Sequence, residues 1–407
     1  MRPIPNVPRR PAARAVLTVL AVLFAGLADT ATASAQVRGP ETLGFKKRFF
    51  VEITNPSPLA LENHAVVLDV AAIRASVAPD FNTYYYAFFE EQGSELALVV
   101  SQADDFDKDR YHDEIVVVRT LPASSTTRLA CWYTPERSFQ LMPTNKAFAR
   151  SAWQSGDAEA AWESNLAAYK FVHGRIGFYG KLQPGLVLGK FPAAETKSQD
   201  WGMDVLGTGD TAGLGGLSLW DGAKRVPLFG PGAPQAKLTV VVPGPVRAMI
   251  KAEYPAVPTA DGEVTVTVFY STFADSAVSR QDIVLASQHA GPIAFGPALQ
   301  NLDRATWSFD KAKGCLSVWG KGAGKAGEIG LAAIFPPAAL TAVEESAADR
   351  ALKLDGRAGR TLTYWVAGGW ERGAAAPASP GAQGWARHAE SLAARLLVPV
   401  KVEFKAK

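Results

Sequence analysis

Cysteine is nearly absent: the 407 residues contain two, Cys131 in RLACWYT and Cys315 in KGCLSVWG. That scarcity excludes the disulfide-dense scaffold of small secreted domains. A thiolate zinc site is excluded as well, because no Cys/His cluster has the required spacing. Both cysteines lie in apolar, strand-like runs, which favours two buried free thiols over a bridge. A surplus of charge is also missing. The chain has 42 Lys and Arg against 39 Asp and Glu. Its first 35 residues hold four of the Arg (Arg2, Arg9, Arg10, Arg14) and one Asp (Asp29), and without them 38 basic residues face 38 acidic ones. No clustered basic surface for nucleic acid is therefore expected, although a few local Arg and Lys residues suffice to hold an anionic glycan.

Long apolar runs are confined to the N-terminus. AVLTVLAVLFAGLA fills 15–28 behind a basic head, and Ala33-Ser34-Ala35 offers a small-residue cut before Gln36. These are the parts of a secretory signal peptide, and the run falls short of the roughly 20 residues a bilayer span needs. We read 1–35 as a signal peptide cleaved at Ala35-Gln36. The expectation is a periplasmic or secreted protein with no membrane span after cleavage.

What remains is rich in strands and has no fixed-period repeat. RFFVEITN, AVVLDV, ELALVVSQ, EIVVVRTL and TRLACWYT are short, β-branched or aromatic, and bounded by turn residues, which predicts a small β-sandwich over 45–138. A polar, Ala-rich connector follows at 139–160. Beyond it, ten runs such as YKFVHGRIGFYG, KLTVVVPG, EVTVTVFYSTF, RTLTYWVAGGW and VPVKVEF predict an all-β, large antiparallel sandwich over 161–405. One helix is expected, in GAQGWARHAESLAARLL (381–397), where Trp385, His388, Leu392, Ala393 and Leu396 fall on one face; His388 is read as a packed helix residue. Within this block, GTGDTAGLGGLSLW at 207–220 matches a dinucleotide fingerprint through Gly207, Gly209 and Ala212. That fingerprint requires a helix after the glycines, whereas the following glycines predict a turn into a strand. No nucleotide is expected.

Several segments together resemble a family of exported bacterial proteins described as domain of unknown function 4861. They include FFVEITNPSPL, DFDKDRYHDEIVVVRTLPA, AWESNLAAYKF, FYGKLQPGLVL, DWGMDVLGTGDTAGLGGLSLWDG and TYWVAGGWER, in order across 46–405. The resemblance implies a companion of polysaccharide breakdown, on pectin and other uronate-rich glycans. GPVRAMIKAEY is similar to a strand pair of galactose-mutarotase-like folds, which implies that the large sandwich is a β-supersandwich. This chain departs from the family in one run: Gly177 stands in IGFYGK where an acid is expected.

Sugar chemistry needs aromatic platforms, polar groups for hydroxyls and a titratable pair. Residues 162–220 offer all three. His173 is a candidate acid or base, with Glu163, Tyr179 and Lys181 beside it, and Arg175 or Lys181 to neutralise a uronate carboxylate. Asp204 sits in an apolar strand, where an acid is either functional or hydrogen-bonded to turn amides. His289, at a strand end, is a second candidate acid/base. Trp201, Trp220 and Trp370 are candidate sugar platforms with core packing as the alternative, and Arg247 is a candidate anion ligand or a strand-face salt bridge. Asp105, Asp107, Asp109 and Asp113 fall at oxygen-ligand positions of an EF-hand-like loop for a structural Ca²⁺, although Arg110 replaces the turn glycine and Val116 the bidentate Glu. No other cofactor is required. The sequence points to a lyase or glycoside-cleaving enzyme on a uronate-rich oligo- or polysaccharide. Two alternatives stay open: a non-catalytic glycan-binding accessory protein and a mutarotase-like sugar isomerase.

Overall fold

In KRFFVEITN, Phe49, Val51 and Ile53 recur at every second position, so a strand buries them on one face. The structure, a computed structural model, describes residues 39–407 apart from 94, 137–143, 152–158, 190–197, 290 and 378. The expected signal peptide and much of the expected connector lie outside the described residues. The strand Lys47–Asn55 belongs to a five-stranded antiparallel sheet ordered Lys401–Lys405, Lys47–Asn55, Ser125–Tyr133, Tyr86–Gln92 and Glu95–Val99. A three-stranded sheet, Leu61–Asp69, Glu114–Leu121 and Ser101–Asp104, faces it. Val51, Ile53, Phe88, Leu129 and Cys131 from the first sheet share one core with Leu68, Ile115 and Val117 from the second. This is the small sandwich, and its edge strand comes from the far end of the chain: VPVKVEF pairs with the first strand rather than with its sequence neighbours.

The AVVLDV run ends earlier than its apolar character suggests. Asp69 caps a short helix, Val70–Ser76, by accepting a hydrogen bond from the Ala72 N–H at 2.8 Å. Capping by Asp satisfies a donor that a helix start leaves orphaned. Val70 and Ile73 of that helix reach the same core.

The rest of the chain forms a β-supersandwich. Two five-stranded sheets, one spanning Ala147–Ser151 to Gly202–Asp204 and the other built around Leu214–Asp221 and Pro292–Gln300, are linked by a parallel bridge between Ile176 and Gly213. Both pack on an eight-stranded antiparallel sheet that runs from Lys237–Val242 at one edge to Asp303–Asp310 at the other. Trp162, Tyr169 and Phe178 from one side meet Val266, Tyr270, Ile283 and Val366 from the other. The glycine run behaves as its composition predicts: residues 207–213 turn directly into the strand Leu214–Asp221. Gly213 has φ 65°, and a Cβ there would lie 2.2 Å from the Ile176 carbonyl oxygen, so only glycine permits the bridge.

The C-terminal helix is Gly381–Leu396, and it covers the outward face of the large sheet. Trp385, Ala389 and Ala393 pack against Trp319, Ala332 and Ile334. The Trp385 indole lies where Cβ atoms at Gly330 and Gly369 would stand, each only 2.3 Å from the ring, and its N–H donates to the Leu331 carbonyl at 3.1 Å. Burial of such a ring contributes about 3–5 kcal/mol.

Arg247 ties the small sandwich to the large sheet. Its Nε donates to Asp104 at 2.6 Å and its Nη1 to Glu114 at 2.7 Å, while the Gln102 side-chain oxygen Oε1 accepts from the Arg247 backbone N–H at 3.0 Å. Burial pushes the Asp104 carboxyl up, and the Arg247 charge opposes that shift. No helix among the described residues is long and apolar enough to cross a membrane.

Candidate functional site

Strand pairing brings much of the 162–220 constellation onto one face. Glu163 pairs with Ala168, Ala168 with Tyr179, and Tyr179 with Asp204 across four neighbouring strands. Lys170, Tyr179, Lys181, Glu163 and Asp204 therefore lie on the face turned away from the large sheet, and all five are buried. Glu163 and Lys181 have no exposed side-chain surface and meet at 2.5 Å. Glu163 also accepts hydrogen bonds from the Val187 and Leu188 N–H groups at 2.8–2.9 Å, and Lys181 donates to the Ser164 and Gly185 carbonyls. Burial lowers the Lys181 pKa while Glu163 opposes the shift. This pair fastens the segment that follows Lys181 onto the sheet.

Asp204 is bound in the same manner. Lys170 lies 3.1 Å from it, and its other oxygen accepts from the Leu206 and Gly207 N–H groups at 3.1 and 3.3 Å. Gly177 makes this possible, because a Cβ there would sit 2.7 Å from Lys170 Cγ. The position where the family resemblance expects an acid is thus occupied by the Lys170 stem. Trp201 packs edge-on against Tyr179, with centroids 6.0 Å apart.

The remaining candidates are dispersed. His173 sits at a hairpin turn with φ 47°, its side chain 63 % exposed and 3.5 Å from Glu159. Arg175 pairs with exposed Asp210 at 3.0 Å. His289 lies 3.9 Å from Asp261 on another loop. The indole N–H groups of Trp220 and Trp370, both buried, donate to Glu344 and to the Ala326 carbonyl. Arg247 is consumed by its interface partners. Among the described residues, no shared open cleft collects these groups.

The acidic loop folds much as its spacing suggests. Carboxylate oxygens of Asp105, Asp107 and Asp109 lie within 4.8 Å of one another and could hold a metal ion. Arg110, at the place of the turn glycine, takes φ 77°. Asp113 is turned elsewhere, accepting from the Phe106 N–H at 2.8 Å, and Val116 is buried in a strand.

Polar side chains converge instead on a cavity of about 900 Å³ between the small sandwich, the outward face of the large sheet and the C-terminal helix. On the large sheet, Val278–Ser287 and Thr361–Trp370 are neighbours, with Arg280 opposite Trp365 and Asp282 opposite Thr363. Ile283 and Leu285 face the core, so Arg280 and Asp282 face outward by alternation. One Asp282 oxygen accepts from Arg280 Nε and Nη2 at 3.0 and 2.9 Å and from the Thr363 hydroxyl. Among the described residues, Arg280 Nη1 has no hydrogen-bond partner.

Across the cavity, the strand Leu61–Asp69 carries a bulge between Leu61 and His64, with Asn63 at φ 46°. Bulges re-aim side chains, and His64 lines the cavity. Its pKa is lowered by burial and further by the Arg280 charge. From the helix come His388, stacked on Trp385 at 5.4 Å, and Arg395, which reaches Glu62 at 3.2 Å. Burial lowers the His388 pKa, with Arg395 adding to the shift. Sequence patterning passes over His64, Arg280, Asp282, Thr363, Trp365 and Arg395.

The match that places this chain runs over residues 53–402, from the first strand of the small sandwich to the last strand of the chain. The chain belongs to the family described as Domain of unknown function (DUF4861). No curated protein sequence matches it. Among solved structures it is similar to a protein in glycosyl hydrolase family 38 from Enterococcus faecalis, with a TM-score of 0.49 and 9 % identity over 89 % of this chain and 48 % of that one. It is also similar to an alpha-mannosidase from Enterococcus faecalis V583, with a TM-score of 0.43 and 9 % identity over 89 % of this chain and 47 % of that one. The chain spans about half the length of each.

Proposed function

We propose that this protein is an exported carbohydrate-active protein that takes a uronate-rich, pectin-like glycan into the 900 Å³ cavity and cleaves it, as a lyase or a glycoside-cleaving enzyme. The observation that carries this reading is the pairing of Arg280 with Trp365 on the cavity face of the large sheet. An indole offers a flat apolar surface to a sugar ring, and a guanidinium beside it matches a carboxylate in geometry and charge. The Thr363 oxygen, whose proton is donated to Asp282, adds an acceptor for hydroxyls, and the volume falls within the usual range for ligand cavities. The basic head, short apolar core and Ala33-Ser34-Ala35 cut support export.

Calorimetric titration of the mature protein with oligogalacturonate, oligoglucuronate and a neutral oligosaccharide of equal length tests the reading. Uronate oligomers are expected to bind, with the neutral one at least tenfold weaker. Equal affinity for all three, or none for any, overturns it. Product analysis then separates the two chemistries: unsaturated uronate ends mark a lyase, and reducing ends without unsaturation mark a hydrolase.

A further inference from the structure

We infer that His64 is the proton acceptor of a β-elimination on a 4-linked uronate, with Arg280 as the partner of the substrate carboxylate. This assignment rests on the carbohydrate reading above. The two residues come from different sheets and line one cavity. The bulge at Asn63 and the Asp282 hydrogen bonds fix where each is presented. A base for this step must be neutral at working pH, and burial together with the Arg280 charge keeps the imidazole so.

The step balances without any further reactant. His64 takes the C5 proton, and the C5–H electron pair becomes the C4=C5 double bond. The C4–O bond to the departing sugar breaks, and that oxygen takes a proton from water in the open cavity. His64 then returns its proton to solvent. Arg280, paired with the carboxylate through Nη1, withdraws charge from C5 and acidifies its proton. The other ionisable groups lining the cavity are Glu62, Asp275, His388 and Arg395. Glu62 is paired with Arg395 and Asp275 with Lys146, which leaves His388 as the other neutral imidazole.

The experiment follows the absorbance of unsaturated uronate released from polygalacturonate and glucuronan by the wild-type mature protein and by His64→Gln and His388→Gln. His64→Gln is expected to lower turnover by about 10²–10⁴-fold while oligouronate affinity stays within about threefold. A larger loss in His388→Gln than in His64→Gln overturns the assignment. Because a His64 variant can misfold, the wild-type protein is also treated with diethyl pyrocarbonate. Loss of elimination should track modification at His64, located by mass spectrometry, and bound oligouronate should slow both. The assignment is overturned if His64→Gln turns over like wild type, if modified His64 leaves activity intact, or if oligouronate binds without any unsaturated product. In that last outcome the glycan reading stands and only the base is lost, whereas absence of binding removes the reading itself.

Discussion

Two regions of this molecule concentrate polar side chains, and they differ in what those groups have left to do. On the outer face of the short-stranded sheet, Glu163, Lys181, Lys170 and Asp204 are buried and bonded to one another and to backbone amides. Around the cavity, His64, Arg280, Trp365 and His388 are half-exposed, and their polar atoms are only partly engaged. Polar and charged side chains act as fasteners in one place and as a candidate site in the other. The degree to which neighbours satisfy them separates the two.

The comparison breaks most visibly at Glu163. Glu163→Ala leaves a buried Lys181 ammonium and two orphaned amides, and should destabilise the protein by about 3–5 kcal/mol. Urea unfolding monitored by tryptophan fluorescence measures this, and a loss below about 1 kcal/mol would contradict the fastener role. Arg247→Met strands Asp104 between the small sandwich and the large sheet, with an expected loss of about 3 kcal/mol by the same measurement. Trp365→Ala should do the reverse. Its melting temperature should stay near wild type, while oligouronate affinity falls about tenfold, near 1.4 kcal/mol.

Acidification gives a smaller effect. His64, His112 and His388 all have lowered pKa values, chiefly through burial. The unfolded chain takes up protons as pH falls through about 6.5, before the folded protein does. Stability present above that pH is therefore lost as the pH drops toward the folded-state values. The melting temperature should fall by a few degrees between about pH 7.5 and pH 5.5, and replacing His64 and His388 by Gln should flatten that slope. The smallest effect belongs to the thiols. Cys131 and Cys315 are free and buried, with the Cys315 pKa pushed up to about 12 by burial. Neither should react with Ellman's reagent until the chain is unfolded.

Much of the fold was legible because its signals are local. Alternation in RFFVEITN and TRLACWYT, and the 3.6-residue spacing around Trp385, report directly on which face is buried. The partner of VPVKVEF was not legible, since pairing is a long-range property and periodicity carries no address. The helix at 70–76 was hidden by the apolar run before it, although Asp69 is the capping residue that marks its start. The site escaped for related reasons. Its side chains come from 61–69, 278–287, 361–370 and 381–396, so no single segment looks dense in chemistry. Arg280 and Asp282, and likewise Thr363 and Trp365, alternate with core residues on strands whose outward face would ordinarily meet solvent. That polar and aromatic alternation was the one available hint. At His64 the bulge interrupts the period. The richer segment, 162–220, drew attention because its acids and bases are adjacent in sequence, and the fold uses that adjacency to pair them.

Placement of Lys401–Lys405 beside Lys47–Asn55 has a consequence for assembly of the small sandwich. The opening sheet is completed by the strand Lys401–Lys405, so a chain in which that strand is undocked carries a bare row of amides and carbonyls along its first strand. Sealing of that border depends on a segment distant in sequence, and deletion of Lys401–Lys405 should leave a sticky border where the native protein has a sealed one.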